Sequence, residues 1–247
     1  MPLRIDILTL FPEMFVPILG TSIPKRAAEK GLVEYHLTNF RDFASDSHQS
    51  VDDKPFGGGP GMVLMCQTLF DAVESVERQD SRPATRVLLT PQGRRFDQAT
   101  AGELAKCERL LLIAGHYEGF DQRIIDGLGP MELSIGDYVL SGGELAAMVI
   151  VDSVVRLLPG VLGAADGAAD ETFADGLIEH PQYTRPRDFR GMTVPDVLLS
   201  GNHAAIAQWR LQQRMERTQL RRPDLWQTHL EAEKNRKGDQ PDQSSHT

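Results

Sequence analysis

Glycine-punctuated loops that directly follow apolar runs are the residues of this chain best placed to do chemistry. Such loops let main-chain donors and acceptors come close to a ligand, and glycine serves where φ is positive or where another group approaches the backbone. In Ser134-Ile135-Gly136-Asp137-Tyr138-Val139-Leu140-Ser141-Gly142-Gly143-Glu144, three glycines precede the long apolar run 145–158. By this pattern Gly142-Gly143 opens a helix, whose first N–H groups have no internal partner and can meet a ligand. Leu110-Leu111-Leu112-Ile113-Ala114-Gly115-His116-Tyr117-Glu118-Gly119 reads as a buried strand entering a loop with an imidazole, an aromatic ring and a carboxylate. Val87-Leu88-Leu89-Thr90-Pro91-Gln92-Gly93 has the same shape. One such stretch fits an ordinary turn equally well. Three strands that each end in a polar, Gly-bearing loop predict a crevice at the carboxyl edge of a parallel sheet, where α/β proteins bind ligands. None of the three matches G-x-G-x-x-G or G-x-x-x-x-G-K-[ST], which disfavours standard dinucleotide or triphosphate binding.

The elements that must position these loops read as βα units and a mostly parallel sheet, an α/β fold. Residues 3–10 alternate as a strand, Pro12-Glu13 looks like a helix start, 22–30 a short helix ended by Gly31, and 33–37 the next strand. The stretch 52–62, with four glycines and two prolines, is expected to be an irregular loop. Helical periodicity covers 67–77 and 96–107, with Leu69, Phe70 and Val73 on one face of the first. The small-residue stretch 161–170 suits a flexible linker. Residues 203–220 form a strong helix, with Ser200 and Asn202 as caps and Ile206, Trp209, Leu211 and Met215 available for packing. The expected domains are therefore 1–160, a linker 161–175, a small helical domain 176–230, and a disordered polar tail 231–247.

At 247 residues the chain can bury a large core, and 40% apolar with 25% charged residues is ordinary for a globular protein. No secretory leader is read at the amino end, and the run 145–158, broken by Asp152 and Arg156, is too short to span a bilayer. Cys66 and Cys107 are placed on helices without CxxC spacing, so reduced thiols in a cytoplasmic protein are expected, with no metal site. The net charge of −9 argues mildly against nucleic-acid binding. Arg185, Arg187, Arg190, Arg210, Arg214, Arg217, Arg221 and Arg222 nevertheless crowd the last third, as a solvated helix face or as a polyanion contact.

Taken together these residues resemble the bacterial tRNA (guanine-N1)-methyltransferases, the TrmD family of the SPOUT class. The strings VDDKPFGGGPGM, PQG, GHYEG, SIGDYVLSGGE, PGVLG, FADGL, YTRP and SGNH occur in the family's order across nearly the whole chain. The resemblance implies a deep trefoil knot in the amino-terminal domain, S-adenosyl-L-methionine as methyl donor, and tRNA as substrate, methylated at N1 of guanosine 37. It also implies an obligate homodimer with active sites at the subunit interface, and a divalent ion such as Mg2+ for activity, although no ligand cluster is visible.

Carried onto this chain, the cofactor loops are Thr90, Pro91, Gln92 and Gly93; Gly115, Tyr117, Glu118 and Gly119; and Ile135, Gly136, Asp137, Tyr138, Val139, Leu140, Gly142 and Gly143. His116 stands where some members have Arg, which leaves its role open. Guanine N1 carries a proton at neutral pH, so a carboxylate base and a guanidinium near O6 suit the reaction. The resemblance assigns Arg156 and, as base, Glu171, where the family has Asp; Asp170 is the alternative. It assigns Gly59, Pro60 and Gly61 to the target base, and Arg185, Arg210 and Arg214 to tRNA phosphates. Some of these arginines could instead pair with Glu179, Asp188 or Glu216. The competing reading is a tRNA-binding protein that has lost catalysis.

Overall fold

Alternation of side chains along short apolar strands decides the architecture. The computed structural model describes residues 1–162, 172–173 and 175–238. They divide into two compact units, Met1–Ala165 and Asp166–Thr247. The first unit contains β1 (Leu3–Thr9), α1 (Val16–Leu19), α2 (Ser22–Glu29), β2 (Val33–Asn39), β3 (Asp52–Asp53), β4 (Val63–Leu64), α3 (Cys66–Glu77), β5 (Thr85–Arg95), α4 (Gln98–Leu104), β6 (Arg109–Ala114), α5 (Gln122–Leu128), β7 (Met131–Ser134) and α6 (Glu144–Val155). The five long strands form one parallel sheet in the order β2-β1-β6-β5-β7. Ile5, Ile7, Val87, Leu89, Leu110 and Leu112 face one core with residues of α2, α4 and α6. Leu8, Leu88, Leu111 and Ile113 face the other with residues of α3 and α5. Both faces are thus covered, as the near-continuous apolar runs of a parallel sheet require.

The amino-terminal edge of the sheet is pinned by buried charge. Arg109 Nε donates to Asp6 Oδ2 at 2.7 Å and Arg4 Nη2 to Asp6 Oδ1 at 2.8 Å. Arg109 also donates to Val76 O at 2.7 Å and Asp80 O at 2.8 Å, so its guanidinium shares Asp6 with Arg4 and caps the end of α3. The opposite, carboxyl edge is left for the loops.

Several expectations need correcting. Residues 90–93 do not leave β5 as a terminal loop: they bulge between Leu89 and Arg94, which both pair with Leu133, and the strand then resumes. Asp52-Asp53 is not irregular but pairs with Val63-Leu64, so the glycine-rich segment is a hairpin tip. Asp97 caps α4 through Thr100 N–H at 2.8 Å, so that helix starts after Phe96, and Cys107 lies beyond its end.

The second unit contains β8 (Asp188–Phe189), β9 (Met192–Thr193), α7 (Asp196–Leu199), α8 (His203–Arg221) and α9 (Pro223–Gly238). Asn202, not Ser200, caps α8, accepting from Ala205 N–H at 3.1 Å. Leu211 and Met215 are exposed rather than packed. Residues 231–238, expected to be disordered, continue α9; residues 239–247 lie outside the described residues. Pro223 at the first helical position and the i,i+4 pairs Gln227–Glu231 and His229–Glu233 support a polar helix that apolar periodicity cannot reveal. Among the described residues no helix is long and apolar enough to cross a membrane.

Candidate functional site

Because β6, β5 and β7 are neighbours, the loops at their carboxyl ends share one mouth. They enclose a crevice of about 260 Å³. Its walls are Thr90, Pro91 and Gln92 from the bulge in β5, residues 115–120 after β6, and Ile135, Gly136 and residues 138–143 after β7. Tyr117, Tyr138, Val139 and Leu140 are exposed, so they serve as apolar walls and not as core. Asp137 and Gly93 do not line the crevice. Gly93 lies against β7, where a Cβ would come within 2.5 Å of the Leu133 backbone nitrogen.

The loops are tied to each other through the backbone. Gly143 N–H donates to Gly115 O at 2.7 Å, and His116 bridges Gly142 in antiparallel fashion. A Cβ on Gly143 would sit 2.9 Å from Ala114 Cα, so only glycine permits this approach. Tyr117 holds φ at +62°, a conformation costly for a residue with a Cβ and typical of ligand sites.

Beneath the loops lies a polar connection that sequence reasoning missed. Glu144, only 3% exposed, accepts a hydrogen bond from the Thr9 hydroxyl at 2.9 Å. Thr9 Oγ1 accepts in turn from Phe11 N–H at 3.0 Å. The other oxygen of Glu144 lies 4.0 Å from Nδ1 of His116, whose ring meets Phe11 and Tyr117 edge-on at 5.1 and 5.3 Å. His116, left without a role by the sequence, packs its ring between Phe11 and Tyr117, with its buried Nδ1 lacking a hydrogen-bond partner. The available signal was a carboxylate opening an apolar helix and a threonine closing an apolar strand.

The glycine-rich hairpin tip adjoins the same loops. Glu118 N–H donates to Met62 O at 2.9 Å and Leu64 N–H to Gly119 O at 2.9 Å. A Cβ on Gly61, at φ +79°, would fall 2.3 Å from Glu118 Cγ. Gly59, Pro60 and Gly61 are exposed, with Gly61 directly beside the Glu118 carboxylate. The loop is then anchored at Asp121, whose carboxyl is held well below the usual carboxylate range by hydrogen bonds from the Arg123 side chain and backbone.

Other expected residues stand apart. Arg156 ends α6, and a helix of 12 residues places it roughly 18 Å from the crevice end. Asp170 and Glu171 lie outside the described residues. In the second unit, Arg185 and Arg210 line a separate cavity of about 400 Å³. Arg214 is paired with Asp175, so a phosphate contact there would require breaking that pair. Burial pushes the Asp175 carboxyl up, but the Arg214 hydrogen bond and Leu177 N–H outweigh it, and the net shift is downward. Among the described residues no group of three or more His, Cys, Asp or Glu side chains could hold a metal ion.

Fold and site together define an α/β ligand-binding protein whose crevice lies at the carboxyl edge of a parallel sheet, with walls of main chain, tyrosine and one carboxylate. The family model for tRNA (guanine-1)-methyltransferase, TrmD, matches residues 3–228, and the chain belongs to that family. It is 57% identical over 235 residues to a protein of Anoxybacillus flavithermus named tRNA (guanine-N(1)-)-methyltransferase, covering 95% of this chain and 96% of that one. Relatives with the same name from Dehalococcoides mccartyi and Bacillus cereus are 56% and 57% identical over 225 and 223 residues, covering 91% and 90% of this chain and 91% of each relative.

Proposed function

We propose that this protein transfers a methyl group from S-adenosyl-L-methionine to N1 of guanosine 37 in the tRNA anticodon loop. The observation that carries the reading is the backbone-tied crevice, whose three walls bear the family's PQG, GHYEG and SIGDYVLSGGE strings. Its chemistry fits the donor: main-chain groups can read an adenine edge, Tyr117, Tyr138 and Leu140 flank apolar surface, and Glu118 offers a carboxylate to a cation. When bound, the donor supplies an electrophilic methyl on a sulfonium.

The protein's task is to make N1 nucleophilic and to hold it in line. A carboxylate removes the N1 proton; N1 then forms the new N–C bond as the C–S bond breaks, leaving a neutral thioether. We assign the base to Glu171, with Asp170 as the alternative, and the guanidinium that stabilises charge on O6 to Arg156. The exposed tip Gly59–Gly61 beside Glu118 supports a role in receiving the flat target base.

The separation of Arg156 from the crevice along α6 supports a homodimer in which one copy's Arg156 serves the other's loops. Family membership supports the trefoil knot, and action on tRNA supports a cytoplasmic location. The described side chains do not fit a magnesium site, so no step is routed through one. Incubation with labelled S-adenosyl-L-methionine and total tRNA, followed by nucleoside analysis, tests the reading. N1-methylguanosine is expected as the labelled product; label in any other nucleoside, or none, contradicts it.

A further inference from the structure

The cavity in the second unit has a chemistry of its own. His180, Tyr183 and Trp209 supply its rings, with centroids 6.5 Å apart for His180–Trp209 and 6.4 Å for Tyr183–Trp209. Arg185, Arg187 and Arg210 supply its charge. The side chains of these three arginines have no ion pair or hydrogen bond among the described residues, unlike Arg214 and Arg222, which pair with Asp175 and Asp224. None of the three nearby acids in the sequence forms an ion pair with them. Glu179 accepts from Gln182, Asp188 from the Gly191 N–H, and Glu216 from Gln212 and Gln213. His180 Nδ1 is buried without a hydrogen-bond partner.

A cavity of about 400 Å³ is of small-ligand size. Inorganic phosphate would leave its rings unused, and an apolar peptide would leave three guanidiniums unmatched. A flat ring attached to phosphates satisfies both, since bases stack on aromatic side chains and phosphates pair with arginine. We propose that this cavity is a second nucleotide pocket. It takes an unstacked base of the bound tRNA, other than the methylated guanosine, against Tyr183 and Trp209, while Arg185, Arg187 and Arg210 hold its flanking phosphates. The inference rests on tRNA being the substrate and adds to it a place where a distant base is held by stacking.

The test is binding of an unmodified tRNA transcript to the full chain across a salt series, alongside S-adenosylhomocysteine affinity. Tyr183→Leu should weaken tRNA binding about tenfold with the salt slope unchanged, because stacking releases no counterions. Tyr183→Phe should restore it. Arg185→Gln should lower the slope by about one. In a Trp226→Phe background, where Trp209 is the sole indole, tRNA should quench the fluorescence. S-adenosylhomocysteine affinity should stay at the wild-type value in the Tyr183 and Arg185 variants. Wild-type tRNA affinity in Tyr183→Leu, or a loss that appears only as a smaller salt slope, would overturn the pocket while leaving the methyltransferase reading intact. Failure of the wild-type protein to bind tRNA would sink that reading itself.

Discussion

The two cavities of this protein are built on opposite plans. In the crevice of the first unit, the loops are tied to one another and to the sheet before any ligand arrives: Gly143 meets Gly115, Glu144 meets Thr9, and Asp121 meets Arg123, while His116 Nδ1 stays buried without a hydrogen-bond partner. It stands on a five-stranded sheet with a core on each face. In the second unit, Leu177 and Thr218 are the described residues fully buried, and three arginines around the cavity keep their charge unpaired. The contrast matches the ligands proposed. A small methyl donor binds best to a preorganised site that has nothing left to order. A flexible polyanion is better met by unspent cations and rings on a thinly packed support that can adjust to it.

That comparison can be broken in several places. Removing the proposed base should have the largest effect: Glu171→Ala, or failing that Asp170→Ala, should lower turnover by about 10²–10⁴-fold while leaving S-adenosylhomocysteine affinity unchanged. If both variants keep full turnover, the assignment of the base is wrong. Next comes the pin at the far edge of the sheet. Asp6→Ala leaves Arg109 in the interior without a carboxylate, while Arg4 keeps Asp80, and should cost about 3–5 kcal/mol in urea unfolding. A loss under 1 kcal/mol would mean that water reaches those guanidiniums.

Within the crevice, Gly143→Ala pushes a methyl group against Ala114 Cα and should cost about 1–3 kcal/mol of stability. Cofactor affinity should fall by about tenfold or more, with tRNA affinity kept. Equal loss of both ligands would erase the division of labour between the cavities. Amide exchange should sharpen it: backbone N–H groups of β1, β5 and β6 should be protected most, and those of β8, β9 and α7 least. The smallest effect belongs to Asp97, the cap of α4. Hydrogen bonds from Thr100 hold its carboxyl below the usual range, so its contribution is complete above the unfolded pKa and lost as pH falls through the folded one. Asp97→Ala should therefore cost about 1 kcal/mol at pH 7 and progressively less in acid.

What the sequence revealed follows the same division. The strand cores at 87–89 and 110–113 and the helix opened by Gly142-Gly143 were legible because apolar runs and glycines report local demands of the backbone. The pairing of Thr9 with Glu144, the bulge that keeps residues 90–93 inside β5, and the use of Asp6 by two arginines depend on strand order, which no local window contains. In the second unit the arginines were visible in composition, but which of them are spent was not: Arg214 finds Asp175, 39 positions away, while Arg185 and Arg210 find no partner among the described residues. Helix α9 is not legible as a separate element, and its residues beyond 230 read as a disordered tail, because i,i+4 polar pairs mimic the composition of one.

The most direct measurement is methyl transfer from labelled S-adenosyl-L-methionine to two tRNA transcripts that differ only in carrying G or A at position 37. Transfer to the G37 transcript alone, with the label at N1, is the expected result. Equal transfer to both, or binding of donor and tRNA without transfer to either, would contradict the assignment of this chain as a guanosine-37 N1-methyltransferase.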